Sequence, residues 1–189
     1  MRIVLGSASP RRQELLKKIY QDFIIDPADV KEDIPEDIGA EFAPIFLAAI
    51  KSEALKDRYP NDLVITADTV VIADGEIFGK PKNLSDARRM LTALSGKTHK
   101  VITGCCVTLN GESRCFSEES LVTFYPLNNE EIETYLASGE PMGKAGAYAI
   151  QERGCLFVEK IDGDYFNIVG LPIARIYREI CDFKKELGL

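Results

Sequence analysis

The stretch Leu63-Val64-Ile65-Thr66-Ala67-Asp68-Thr69-Val70-Val71-Ile72-Ala73-Asp74-Gly75 decides the fold class. Val64, Ile65 and Val70 to Ile72 are apolar and β-branched, as a buried strand requires, and Ala67-Asp68-Thr69 interrupts the run with a carboxylate. Asp74-Gly75 then turns the chain back as a hairpin. Upstream, Arg2 to Leu5 reads as a strand, followed by a helix that Ser9 can cap, with Pro10 at its first position and Leu15, Leu16 and Ile19 on its apolar face. A strand at Phe23 to Ile25 leads into an acidic loop, Asp29 to Asp37. Apolar spacing from about Ala40 to Arg58 predicts a long helix that stops before Tyr59-Pro60.

Downstream, Ser85 to Leu94 reads as a capped helix. Val101 to Leu109 and Ser113 to Phe124 flank Asn110-Gly111, a strong hairpin signal. Asn128 with Glu131 forms a capping box opening a helix to Leu136. Ala147 to Ile150 and Leu156 to Ile161 read as strands, and Pro172 to about Leu187 as the last helix. Strands able to pair both in parallel and in hairpins, mixed with helices, indicate an α/β or α+β domain, of which we take α/β, with a mixed twisted sheet flanked by helices. No repeat or linker breaks the chain, so one domain over residues 1–189 is expected.

With 189 residues, 46% of them hydrophobic, the chain can bury a core without disulfides or structural metal. Its net charge of -7 supplies no basic field for nucleic acid, so an anionic ligand must be met by a few local cations. No apolar run is long enough for a membrane span, and no signal peptide opens the chain, which points to the cytoplasm. The five cysteines are odd in number and lack C-x-x-C spacing, so they are expected to be reduced and mostly buried.

Three segments carry chemistry. Gly6-Ser7-Ala8-Ser9-Pro10-Arg11-Arg12 puts two arginines in the first turn of a helix, where the positive end of the helix dipole disfavours cations unless an anion binds too. Asp68 stands between two apolar runs, where a charge is costly unless it binds something. The only histidine, His99, excludes a histidine zinc cluster and lacks a G-x-S-x-G partner, so it reads as structural or exposed. Carboxylates then remain as ligands for a hard ion such as Mg²⁺, with Asp68 and Glu32 as candidates. Lys80, in Gly79-Lys80-Pro81, is no Walker lysine, but it can serve phosphate as a point charge.

Taken in order, LGSASPRRQELL, ITADTVV, GKP, LSGKTHKVITG, KAGAYAIQERG and DYFNIVGLP resemble the Maf family of nucleotide pyrophosphatases over nearly the whole chain. The resemblance implies a Maf/ITPase-like fold of two lobes with a central cleft, often in a homodimer, and hydrolysis between the α and β phosphates of a nucleoside triphosphate with Mg²⁺ or Mn²⁺. It implies Asp68 as proton acceptor and Glu32 as a second catalytic acid, both holding the metal. Ser7, Arg11, Arg12, Lys51 and Lys80 would hold phosphates, and Arg12, Thr69 and Gln151 would select the base, as in the subgroup acting on dTTP and UTP. The alternatives are a 7-methyl-GTP or inosine triphosphate pyrophosphatase, or a non-catalytic nucleotide-binding regulator of septum formation.

Overall fold

The computed structural model describes residues 1–188. Continuous apolar runs become parallel strands in it, and turn-marked runs become hairpins. β1 (Ile3–Leu5), wholly buried, lies between β2 (Ile24–Ile25) and β3 (Leu63–Ala73) and is parallel to both, with Val4 opposite Ile24 on one side and Val64 on the other. Successive side chains point to opposite faces and all three are buried, so both faces are covered and the sequence is apolar throughout.

β3 turns at Asp74-Gly75 into antiparallel β4 (Glu76–Phe78). Both turn residues have positive φ, 49° and 80°, as a two-residue hairpin that follows the strand twist requires. Asn110 and Gly111, at 53° and 79°, do the same between β5 (Thr98–Leu109) and β6 (Glu112–Phe124). β7 (Val158–Asp162) runs antiparallel to β6. Among the described residues the seven strands form one mixed sheet in the order β2-β1-β3-β5-β6-β7, with β4 on β3.

The helices are α1 (Pro10–Leu16), α2 (Ala43–Lys56), α3 (Leu84–Leu94), α4 (Asn129–Ala137), α5 (Tyr165–Val169) and α6 (Ile173–Glu186). None is long and apolar enough to cross a membrane. The α4 capping box is complete: the Asn128 side chain accepts from the Glu131 N–H at 3.0 Å, and Glu131 accepts from the Asn128 N–H at 2.7 Å.

The chain divides into two compact units. The first holds residues 1–68, 103–118 and Gly170 onward; the second holds residues 69–102 and 119–169. In the first, Val4, Leu55 and Val64 form a core under Ile24, Ala28 and Tyr59. Its α2 lies so close to β5 that a Cβ on Gly104 would sit 2.2 Å from the backbone of Pro44 and Ile45, so only glycine fits. In the second unit the rings of His99, Phe124, Tyr148, Phe157 and Tyr135 meet edge to face in a continuous cluster.

Five features differ from the sequence reading. β3 runs unbroken through Ala67-Asp68-Thr69, because short side chains can stay in a pleated strand. Ala147 to Ile150 is no strand: a 3-10 turn at Ala145–Ala147, with Gly146 and Ala147 at φ 67° and 60°, leads into a buried loop. The α3 cap is Asn83, whose side chain accepts from the Asp86 N–H, and Ser9 makes no side-chain cap on α1, which ends before Ile19. The thiols are not all reduced: Cys106 and Cys115 are joined as a disulfide. The hairpin register sets these two residues opposite each other, their Cα atoms 4.1 Å apart, a pairing that cysteine spacing alone does not reveal.

Candidate active site

In the first unit, successive cross-links fasten α2 to β3. Thr66 Oγ1 donates to the Ala48 carbonyl at 2.7 Å, and Lys51 Nζ donates to Asp68 Oδ1 at 2.7 Å. Residues two apart on a strand share a face, as do residues three apart on a helix, so the two links lie side by side. The same Lys51 Nζ reaches Glu32 Oε1 at 2.7 Å. One ammonium, its side chain 10% exposed, therefore carries two carboxylates from segments far apart in the chain. Asp68 is 15% exposed and Glu32 54%, so the charges are partly desolvated and still reachable from solvent.

Beside them runs the loop after β1. The Gly6 N–H donates to the Ile65 carbonyl at 2.8 Å, and a Cβ on Gly6 would strike Thr66 and Leu55 at 2.6 and 2.7 Å. That close approach holds the following residue, Ser7, near the strand of Asp68. Arg12 does not wave in solvent: its Nε donates to the Gly170 carbonyl at 2.8 Å and its Nη1 to Ser7 Oγ at 3.2 Å. Burial lowers its pKa, against the opposing charges of Asp68 and, more weakly, Glu32, while Arg11 adds to the lowering. Ser7, Arg11, Arg12, Glu32, Lys51 and Asp68 thus form one electrostatically coupled group. The Gly170 carbonyl was not legible as part of it; its only signal was a glycine just before Leu171-Pro172 at the start of α6.

In the second unit, Thr69 follows Asp68 on β3 with its side chain on the opposite face, since side chains alternate. Lys80 is exposed just after β4. The preceding carbonyl, that of Gly79, accepts from the Gly146 N–H at 3.1 Å, and Gly146 is so close to Val71 that a Cβ there would come within 2.9 Å. The lysine loop and the segment leading to Gln151 are therefore tied together against β3. Gln151 is exposed at a turn.

His99, read as structural or exposed, is buried at 2% exposure, with Nε2 2.9 Å from the Tyr148 hydroxyl. Desolvation lowers its pKa to about 4, so it is neutral at physiological pH.

A family model described as "Maf-like protein" matches residues 2–183. The chain belongs to this family. Two similar Maf relatives are the "dTTP/UTP pyrophosphatase" of Carboxydothermus hydrogenoformans, 49% identical over 95% of this chain and 97% of that one, and the protein of the same name from Porphyromonas gingivalis, 46% identical over 96% and 94%. Among solved structures, a HAM1 protein from Coxiella burnetii shares the fold, with a TM-score of 0.55 at 13% identity over 96% of this chain and 99% of that one. The Maf family assignment and the mixed sheet flanked by helices agree with the sequence reading.

Proposed function

We propose that this chain is a cytoplasmic nucleoside triphosphate pyrophosphatase that hydrolyses dTTP and UTP to the monophosphate and pyrophosphate. The observation that carries the reading is the Lys51 ammonium shared by Asp68 and Glu32, with the Ser7–Arg12 pair beside it. The names of its Maf relatives support the substrate.

Asp68 is the proton acceptor. Lys51 holds its Oδ1, fixing the carboxylate so that Oδ2 can take a proton from a water attacking the α-phosphorus. The bond from that phosphorus to the bridging oxygen breaks, and pyrophosphate leaves with the electron pair. Ser7, Arg11, Arg12, Lys51 and Lys80 bind the phosphates and neutralise the growing charge. Arg12, Thr69 and Gln151 select the base, the Gln151 amide offering both a donor and an acceptor to the O4/N3–H edge shared by thymine and uracil.

The donor chemistry suits a hard divalent cation: the carboxylates of Glu32 and Asp68 both lie within 2.7 Å of the Lys51 ammonium, each with a second oxygen to offer. Among the described residues no group of three or more potential protein ligands exists, so substrate phosphates would complete the shell, as is usual for Mg²⁺. Bound by Glu32 and Asp68, Mg²⁺ or Mn²⁺ would supply Lewis-acid charge neutralisation at the phosphates.

The test is hydrolysis of a panel of nucleoside triphosphates with Mg²⁺ or Mn²⁺, scoring pyrophosphate against orthophosphate. The expected result is pyrophosphate from dTTP and UTP, lost in Asp68→Asn. Orthophosphate as the product, or nucleotide binding without turnover, would overturn the reading.

A further inference from the structure

We propose that Tyr135 and Glu140 are positioning residues for base selection: together they tie both ends of the loop that presents Gln151. The proposal rests on the reading of Gln151 as a base-selecting residue and assigns the side chains that set its geometry.

The loop runs from Ala149 to Gly154, with Gln151, Glu152 and Arg153 exposed at its tip. At one end the Ala149 N–H donates to the Tyr135 hydroxyl at 3.2 Å. That hydroxyl donates in turn to Glu140 Oε1 at 2.8 Å. At the other end the same carboxylate accepts from the Gly154 N–H at 3.0 Å and the Arg153 N–H at 3.1 Å. A phenol and a carboxylate thus form one chain of hydrogen bonds from the entrance of the loop to its exit.

The ends are also pressed together. A Cβ on Gly154 would meet the Ala149 carbonyl oxygen at 2.7 Å and the Tyr135 hydroxyl at 3.0 Å, so this position admits only glycine. Within the loop, the Glu152 N–H donates to the Ala149 carbonyl, which sets the turn at Gln151.

The tie is itself anchored. Tyr135 is 3% exposed in the last turn of α4, with its ring edge-on to Phe157. Burial and the adjacent Glu140 raise its pKa, so the phenol keeps the proton it donates. Ser138 Oγ donates to the Tyr135 carbonyl at 2.6 Å and accepts from the Glu140 N–H at 3.2 Å, fixing the short connection between the two residues. Neither side chain belongs to the group around Asp68 or takes part in the proton transfer. Their effect is on where the Gln151 amide stands, and a shift of about 1 Å there degrades a hydrogen bond to the base edge.

The experiment compares kcat/KM for dTTP with that for GTP in the wild type, Tyr135→Phe, Glu140→Gln, Gln151→Ala and the double variant Tyr135→Phe/Gln151→Ala. A loss of folded protein scales both substrates equally and leaves their ratio unchanged, so the ratio reports positioning and not stability. We expect Tyr135→Phe and Glu140→Gln to lower the dTTP preference by about tenfold, the scale of one lost charge-assisted hydrogen bond, chiefly through KM for dTTP, with kcat held within about threefold. Tyr135→Phe should add nothing to Gln151→Ala. A changed ratio in Gln151→Ala with an unchanged ratio in the two tie variants would overturn this proposal alone. An unchanged ratio in Gln151→Ala would overturn the reading of Gln151 and this proposal with it. Additive effects in the double variant would show that Tyr135 acts elsewhere and would also overturn it.

Discussion

A single ammonium serving two carboxylates makes Lys51 the most consequential side chain of the candidate site. Lys51→Met would remove the ammonium that both Asp68 and Glu32 contact. Breaking a buried pair costs about 3–5 kcal/mol; with Glu32 half exposed, we expect about 2–3 kcal/mol from urea unfolding, together with loss of turnover. Asp68→Asn keeps the shape and the Lys51 contact and removes the base, so kcat should fall by about 10²–10⁴-fold while the unfolding midpoint stays near that of the wild type. His99 gives a pH signature. Its folded pKa of about 4 lies below the ordinary 6.5, so neutral His99 contributes stability that is complete above pH 6.5 and is lost as pH falls toward 4. The contribution is on the order of 3 kcal/mol, and the stability gap between wild type and His99→Gln should shift by that amount between pH 7 and 4. At this scale the residue types were legible in the sequence, since a carboxylate inside an apolar run and arginines at a helix start are local misfits. Their partners were not. Lys51 to Asp68, Arg12 to Gly170 and Tyr135 to Ala149 are tertiary pairings that no local pattern encodes.

Among the elements, α2 aims Lys51, and its placement depends on how closely it approaches β5 at Gly104. Gly104→Ala forces a methyl group into the backbone of Pro44 and Ile45, and such overpacking costs about 1–3 kcal/mol or more. A drop in melting temperature with a parallel loss of activity is expected; an unchanged melting temperature would mean that α2 moves aside without cost. The existence of α2, α3, α4, α6 and both hairpins was legible, because periodicity, capping residues and Asn-Gly or Asp-Gly turns are written locally. The segment Ala147 to Ile150 was misread for a physical reason. Its residues are apolar because the loop is buried, and burial in a loop looks the same in sequence as burial in a strand. The Cys106–Cys115 bond escaped for a related one, since it follows from the register of a hairpin and not from cysteine spacing.

For the whole molecule, the seven-stranded order is set by long-range pairings such as Val4 to Val64, and only the mixed character of the sheet could be anticipated from its connections. The carboxylates of the candidate site already have a counter-charge in Lys51, so the fold does not need a metal to neutralise them. Chelation should therefore abolish turnover while moving the melting temperature by less than ~2 °C. Conversely, Asp68→Asn protein given Mg²⁺ and dTTP at a hundredfold the Kd should gain ~2.7 kcal/mol, or roughly 5–10 °C, by mass action. Calorimetry checks both. The chain's solitary histidine, caged edge-on by Phe124 and bonded to Tyr148, also provides a built-in spectroscopic probe. Its imidazole protons give the only such signals in the NMR spectrum and need no isotopic label. Ring currents from the two aromatics displace them, so any rearrangement of the Tyr148 segment can be followed in the intact protein at a single assigned resonance.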